Sequence, residues 1–264
     1  MKKLLIVSLS SVFLSACTSL TMQLPTSRLD SPEALGTGSR RFEMGLGSSS
    51  HKNVIFTDDA SKRPPDLSSP RIELNDPLSG SLGLGVFERF DVGVRTSVGP
   101  SPWRLIGKFQ LLGDSRENAK QGNFSLAISG GVGFGNSSWR GDQNGKFGPS
   151  GHNWDASVQL FMTEAALIAG YRLTDSLLIY TGGFYANYSI NGRIKHEKSD
   201  DGLSPEAEYK FDYGGYQTGA NGGIRIELGS RAFFTVEGVY SKTNVSTMLM
   251  HEGVTVGGEL GLLF

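Results

Sequence analysis

The chain has a single cysteine, Cys17, in 264 residues, which excludes an internal disulfide and any multi-cysteine zinc site. Charge is sparse and balanced. Twenty-five Lys and Arg stand against 26 Asp and Glu, charged residues are 19% of the chain and the net charge is −1, where about 25% charged is usual. No basic footprint for nucleic acid exists, and an aromatic content of 10% excludes a disordered chain. From residue 39 onward no run of 18 apolar residues occurs, so no helical membrane span is expected. Helix-period hydrophobicity is absent as well. What is abundant is glycine, 36 residues, roughly twice the usual ~7%. Period-2 alternation broken by turn residues recurs throughout, pointing to an all-β chain.

The first residues read as an address. Met1-Lys2-Lys3 is a charged start and Leu4 to Ala16 an apolar stretch, too short for the ~20 residues of a spanning helix and suited to a signal-peptide core. It ends in Leu14-Ser15-Ala16-Cys17, which resembles the lipobox of bacterial lipoproteins. The resemblance implies cleavage before Cys17 and covalent lipid on it, the one non-protein group expected. Thr18 in place of Asp resembles the outer-membrane sorting signal of enterobacteria-like systems. Residues 1–16 are thus expected to be a lipoprotein signal peptide. The polar stretch of residues 17–38, with Pro25, Pro32, Gly36 and Gly38, is expected to be a flexible periplasmic tether.

Residues 39–264 read as about ten strands, eight or twelve being the alternatives. They fall near Arg41–Ser48, Ile72–Phe87, Asp91–Val98, Trp103–Leu112, Asn123–Gly135, Asp155–Arg172, Leu177–Ile190, Tyr209–Leu228, Ala232–Lys242 and Gly253–Phe264. One face carries large apolar residues, as in Phe124, Leu126, Ile128, Val132 and Phe134, or Leu178, Tyr180, Phe184, Tyr188 and Ile190. The other carries Gly, Ser and charge. A soluble sandwich buries the apolar face, whereas a membrane barrel turns it to lipid.

Connection lengths separate the two. Tight turns follow the even-numbered strands, at Glu88-Arg89, Asp175-Ser176 and Gly229–Arg231, with a middle-sized one at Gly113–Gly122. The long segments His51–Arg71, Asn136–Asn153 and Asn191–Glu208 follow odd-numbered strands, as do two short ones, Gly99–Pro102 and Thr243–Glu252. Short turns on one rim and long loops on the other describe a transmembrane antiparallel up-and-down β-barrel. An even strand number puts both termini on the short-turn, periplasmic side. The last strand alternates through Val256, Leu260, Leu262 and the terminal Phe264, which resembles the β-signal of bacterial outer-membrane proteins. That implies the barrel-assembly machinery as a partner, beside the lipoprotein-sorting machinery and the outer-membrane lipids. Phe161 and Tyr171, ten positions apart on the sixth strand, match the height of a tilted spanning strand and mark two aromatic girdles.

No catalytic or metal-binding residue is assigned. His51, His152, His196 and His251 fall at or beyond the long-loop rim, with Asp58, Asp59, Asp155, Asp200 and Asp201 in comparable regions. Omptin-like proteases carry an Asp–His pair near that rim, and lipid A-modifying enzymes a nucleophile with His, but no local motif of either occurs here. Ser150 and His152 share a loop without an acidic partner in the motif. The alternation sends Arg41, Glu43, Arg95, Arg104, Lys108, Arg225, Glu227, Glu237 and Glu259 into the lumen. In a barrel this narrow, such charges pair across the lumen and fill it rather than line a pore. The expected function is structural or surface-interacting, through extracellular loops whose ligand the sequence does not name. A small channel is the first alternative and a rim-located surface hydrolase the second.

Overall fold

The computed structural model describes residues 19–26, 28–48, 51–59, 66–75, 78–99, 101–141, 154–196, 207–245 and 249–264. Residues 1–16, expected to be a signal peptide, and Cys17 lie outside them, as do His152, Ser150, Asp200 and Asp201. The described residues form thirteen strands. In chain order these are β1 (Ser19–Pro25), β2 (Arg40–Ser48), β3 (His51–Asp59), β4 (Asp66–Asn75), β5 (Ser79–Phe87), β6 (Phe90–Ser97) and β7 (Trp103–Leu112). They continue as β8 (Phe124–Gly141), β9 (Trp154–Thr174), β10 (Leu177–His196), β11 (Ala207–Glu227), β12 (Ala232–Val245) and β13 (Leu249–Leu263).

Ten of them, β2 and β5 to β13, close into an antiparallel barrel in which each strand pairs with the next, and β13 pairs with β2 to seal it. The short turns at 88–89, 113–123, 175–176 and 228–231 all lie on one rim, here called the floor. The opposite rim, the mouth, carries the connections from β2 to β5, β8 to β9 and β10 to β11, which are long, and the short ones from β6 to β7 and β12 to β13. Closure leaves no unpaired edge, which is what a sheet needs to sit in lipid.

The outer wall of the barrel is apolar. Leu82, Leu105, Phe109, Ile128, Leu167, Ile224, Val236 and Leu260 all face outward and are exposed. Buried charges face inward from β7, β9, β11, β12 and β13. This is inside-out relative to a water-soluble sheet and defines a lipid-facing belt. Trp103, Phe134 and Phe161 stand side by side on β7, β8 and β9 as the upper aromatic edge, with ring centroids 5.9 and 5.0 Å apart. Phe124 and Tyr171, directly paired across β8 and β9, mark the lower edge. Each edge is ten residues from the other along its strand. At about 3.4 Å per residue and a tilt near 40°, this makes a belt about 26 Å tall.

Above the upper edge the two faces exchange character. The outer face of β9 and β10 becomes polar with Ser157, Gln159, Asn187, Ser189, Asn191 and Arg193. The inner face becomes an apolar core of Val158, Leu160, Ile190, Ile194 and Phe211 around Met22 and Leu24. This taller wall is therefore built as a water-exposed structure would be.

Three expectations are corrected here. Residues 17–38 are not a flexible tether along their described length: Ser19–Pro25 is β1, and residues 22–26 and 28–36 are buried. The second expected strand, Ile72–Phe87, and the loop His51–Arg71 redistribute. Residues 51–59 and 66–75 form the hairpin β3–β4, which joins β1 in a separate three-stranded sheet over the mouth. The barrel strand begins only at Ser79. Finally, Leu178, Tyr180, Phe184, Tyr188 and Ile190 point into the barrel, not to lipid. Glycine on the neighbouring strand makes room for them. A Cβ at Gly219 would stand 2.7 Å from Phe184, and one at Gly223 2.5 Å from Tyr180.

Leu167 is 51% exposed near the middle of the belt. Leu167→Arg is expected to destabilise the barrel by ~2–4 kcal/mol, the cost of an arginine on the lipid face at mid-depth. Leu167→Phe is expected to be tolerated. Denaturant unfolding in lipid vesicles measures both. Equal stability of the arginine variant and the parent would mean that this face does not meet lipid.

Candidate functional site

The lumen is the most chemically specialised part of the molecule, and it is occupied. Thr26 and residues 28–38 run down it from mouth to floor. This segment meets wall partners along its length. Thr26 meets Thr255 at 3.4 Å. The amides of Arg28 and Leu29 donate to the Glu237 carboxylate at 2.8 and 3.0 Å. Asp30 pairs with Arg95 at 3.3 Å, and Ser31 accepts from Arg225 at 3.0 Å. Lys108 donates to the carbonyls of Ser31 and Glu33 at 3.1 and 2.7 Å. Below them the Ala34 amide donates to Gln110 at 2.7 Å and the Leu35 amide to Asp91 at 3.0 Å. Gly36 and Gly38, with φ of 96° and 82°, turn the chain out at the floor, where Gly38 bonds Gly85. Those positive angles suit residues without a Cβ.

Backbone polar groups in a lumen without secondary structure need partners. Here the wall side chains supply them. Lys108 and Gln110 on β7, Asp91 on β6 and Glu237 on β12 act as substitute backbone for a segment that pairs with no strand over residues 28–36. Glu237 carries the densest set. Besides the two amides it accepts from Asn221 at 2.7 Å and from the Tyr180 hydroxyl at 3.3 Å. Just after this anchor Leu29 takes a left-handed φ of 50°, a conformation that costs a bulky residue roughly 1–2 kcal/mol.

The charges read from the sequence are placed as follows. Glu43 lies amid Arg41 at 3.1 Å, Arg95 at 3.5 Å and Arg225 at 3.6 Å, and accepts from Ser81. Arg225 also reaches Glu259 at 3.6 Å and stacks over Phe233 at 4.0 Å. Arg104 faces Glu164 at 3.4 Å, and Glu164 also pairs with Arg28. Lys108 pairs with Asp91 at 3.1 Å. Glu227, close to the floor, binds the Arg116 guanidinium at 3.1 Å. Every one of these sits on the lumen side of its strand.

Alternation along the chain misses half of the network. Arg172 forms a two-pronged bond to Glu33 at 2.7 and 2.6 Å and donates to the Asp175 carbonyl at 2.6 Å. Asp91 and Glu164 also lie outside the set of charges that the sequence assigns to the lumen, although both keep the phase of Arg95 and Arg172 on their strands. Arg28, Asp30 and Glu33 carry no detectable period, because each partner is more than 60 positions away in the chain.

Of the candidate rim residues, His51 begins β3, Asp58 and Asp59 end it, Asp155 lies in β9, His196 ends β10 and His251 lies in β13. Among the described residues no group of three or more His, Cys, Asp or Glu is arranged to hold a metal ion.

No protein-family model matches the chain, and no curated protein sequence does either. Solved structures similar to it include the outer membrane protease OmpT from Escherichia coli. That match has a TM-score of 0.42 at 11% identity and covers 93% of each chain. The attachment invasion locus protein Ail of Yersinia pestis gives 0.29 at 12% identity, over 86% of this chain and 99% of that one. The N-terminal β-barrel domain of Pseudomonas aeruginosa OprF gives 0.25 at 10% identity, over 87% and 99%.

Proposed function

We propose that the protein is an outer-membrane β-barrel lipoprotein, acylated at Cys17, whose barrel is a filled support rather than a pore. The floor faces the periplasm, and the tall polar wall with the β1–β3–β4 sheet is presented outside as a surface for interaction. The observation that carries this reading is the occupied lumen: a segment of the chain's own backbone bonds to the wall from Thr26 to Leu35. Ten strands leave little interior beyond what side chains fill, and here a chain segment takes the remainder. The lipobox Leu14-Ser15-Ala16-Cys17 supports the anchor, and the terminal alternation to Phe264 supports assembly by the barrel-assembly machinery.

Reconstitution of the full chain in planar bilayers tests the filled barrel. The expected record is silent at moderate voltage, although the protein shows heat-modifiable migration. Steady unitary conductance from folded protein would instead establish the channel alternative.

A further inference from the structure

We infer that the chain threads its own barrel and that its acylated end emerges on the cell surface, not in the periplasm. This rests on the proposed acylation of Cys17 and on the floor being periplasmic, and goes beyond both.

The two ends of the described chain lie at opposite rims. Phe264 sits at the floor, where it exchanges backbone hydrogen bonds with Arg40 at 3.2 and 3.0 Å. The N-terminal end does not join it. From Gly38 at the floor, the chain traced backwards climbs past Asp91, Lys108, Arg225 and Glu237 to Thr26 beside Thr255. It then enters β1, whose register runs Pro25 opposite His51 to Ser19 opposite Thr57. His51 follows directly on the mouth end of β2, so Ser19 is the residue of β1 furthest along the hairpin from that rim. Residues 26–38 span at most about 40 Å when extended, enough to cross a belt about 26 Å tall. Only Thr18 separates Ser19 from Cys17, a reach of under ~8 Å. A periplasmic anchor would need the segment to run back down a lumen that it already fills.

Two consequences follow. The acyl chains on Cys17 would enter the leaflet on the mouth side. The barrel must also close around the segment during assembly, because β13 and β2 seal a complete ring about it and a lipidated end does not pass through a filled lumen afterwards.

Membrane-impermeant maleimide on intact cells tests the inference in the full chain. Cys17 carries lipid and has no free thiol, so Ser19→Cys, Thr57→Cys and Ser230→Cys each supply a single reactive group. Heat-modifiable migration checks that each variant folds, and palmitate incorporation is read on the same samples. The expected result is labelling of Ser19→Cys and Thr57→Cys on intact cells, no labelling of Ser230→Cys until the outer membrane is opened, and palmitate on all three. Ser19→Cys protected on intact cells while Thr57→Cys is labelled would overturn the threading and leave the orientation standing. Labelling of Ser230→Cys alone would overturn the inference through the orientation. Loss of palmitate from every variant and from the parent would overturn it through the acylation.

Discussion

Glu237→Ala is expected to destabilise the barrel by ~3–5 kcal/mol, two to three and a half orders of magnitude in the folding equilibrium. The side chain is fully buried on β12, and its carboxylate accepts from four donors at 2.7–3.3 Å. Each donor left without a partner costs about 1–3 kcal/mol if water does not replace it. Two of the four are the adjacent backbone amides of Arg28 and Leu29, so the segment loses its anchor to β12 beside the left-handed Leu29 as well. Glu237→Gln keeps an acceptor of the same shape but loses the charge and places an amide donor among donors. Its expected cost is about half that of alanine. Denaturant titration in lipid vesicles, followed by heat-modifiable migration, gives both values. An alanine variant within ~0.5 kcal/mol of the parent would mean that the segment does not lie against β12.

The second large effect is expected at the floor. Arg172 is buried and binds Glu33 through two parallel hydrogen bonds at 2.6 and 2.7 Å, the geometry in which a guanidinium–carboxylate pair is strongest. Arg172→Ala leaves Glu33, itself 2% exposed, with only the Asn123 amide at 3.1 Å. Stranding a buried charge in this way costs ~3–5 kcal/mol. Glu33→Ala is expected to cost less, because Arg172 keeps the Asp175 carbonyl at 2.6 Å and Glu227 at 3.5 Å. The asymmetry of the two single variants is itself part of the expected result.

The barrel is legible in the sequence because lipid demands an apolar side chain at every second position and the lumen does not. Phe124, Leu126, Ile128, Val132 and Phe134 on β8 show that demand, with Gly130 the single break in the series, and the short turns on one rim separate a barrel from a sandwich. The inward position of Arg225 follows from the same phase once Ile224 and Ile226 are assigned to lipid. β10 misleads for a physical reason. Its inner face carries Tyr180, Phe184 and Tyr188, which fill the barrel over glycines of β11, while its outer face turns polar above the upper aromatic edge. Alternation there identifies the two faces but not which of them meets lipid.

The filling segment leaves no such trace. Residues 28–38 make no ladder, so no period marks them, and Pro32, Gly36 and Gly38 read as flexibility. Their order comes from Glu237, Lys108, Asp91 and Arg172, residues that become neighbours only when the barrel has closed. The β3–β4 hairpin is hidden in a similar way. The sequence from Asp58 to Pro65 holds Asp58, Asp59, Pro64 and Pro65, a composition typical of loops, although Asp58 and Asp59 belong to β3, and the hairpin's pairing partner β1 lies in the stretch whose composition reads as a tether.

A double-mutant cycle on Glu33 and Arg172 tests the central claim, that residues 26–38 run through the closed lumen. The parent, Glu33→Ala, Arg172→Ala and the double variant are unfolded by denaturant in the same vesicles. If the segment lies in the lumen, the double variant is less destabilised than the sum of the singles by about 1.5–3 kcal/mol, the range for hydrogen bonds to charged groups. Strict additivity, within ~0.5 kcal/mol, would place Glu33 away from Arg172 and contradict the threaded barrel.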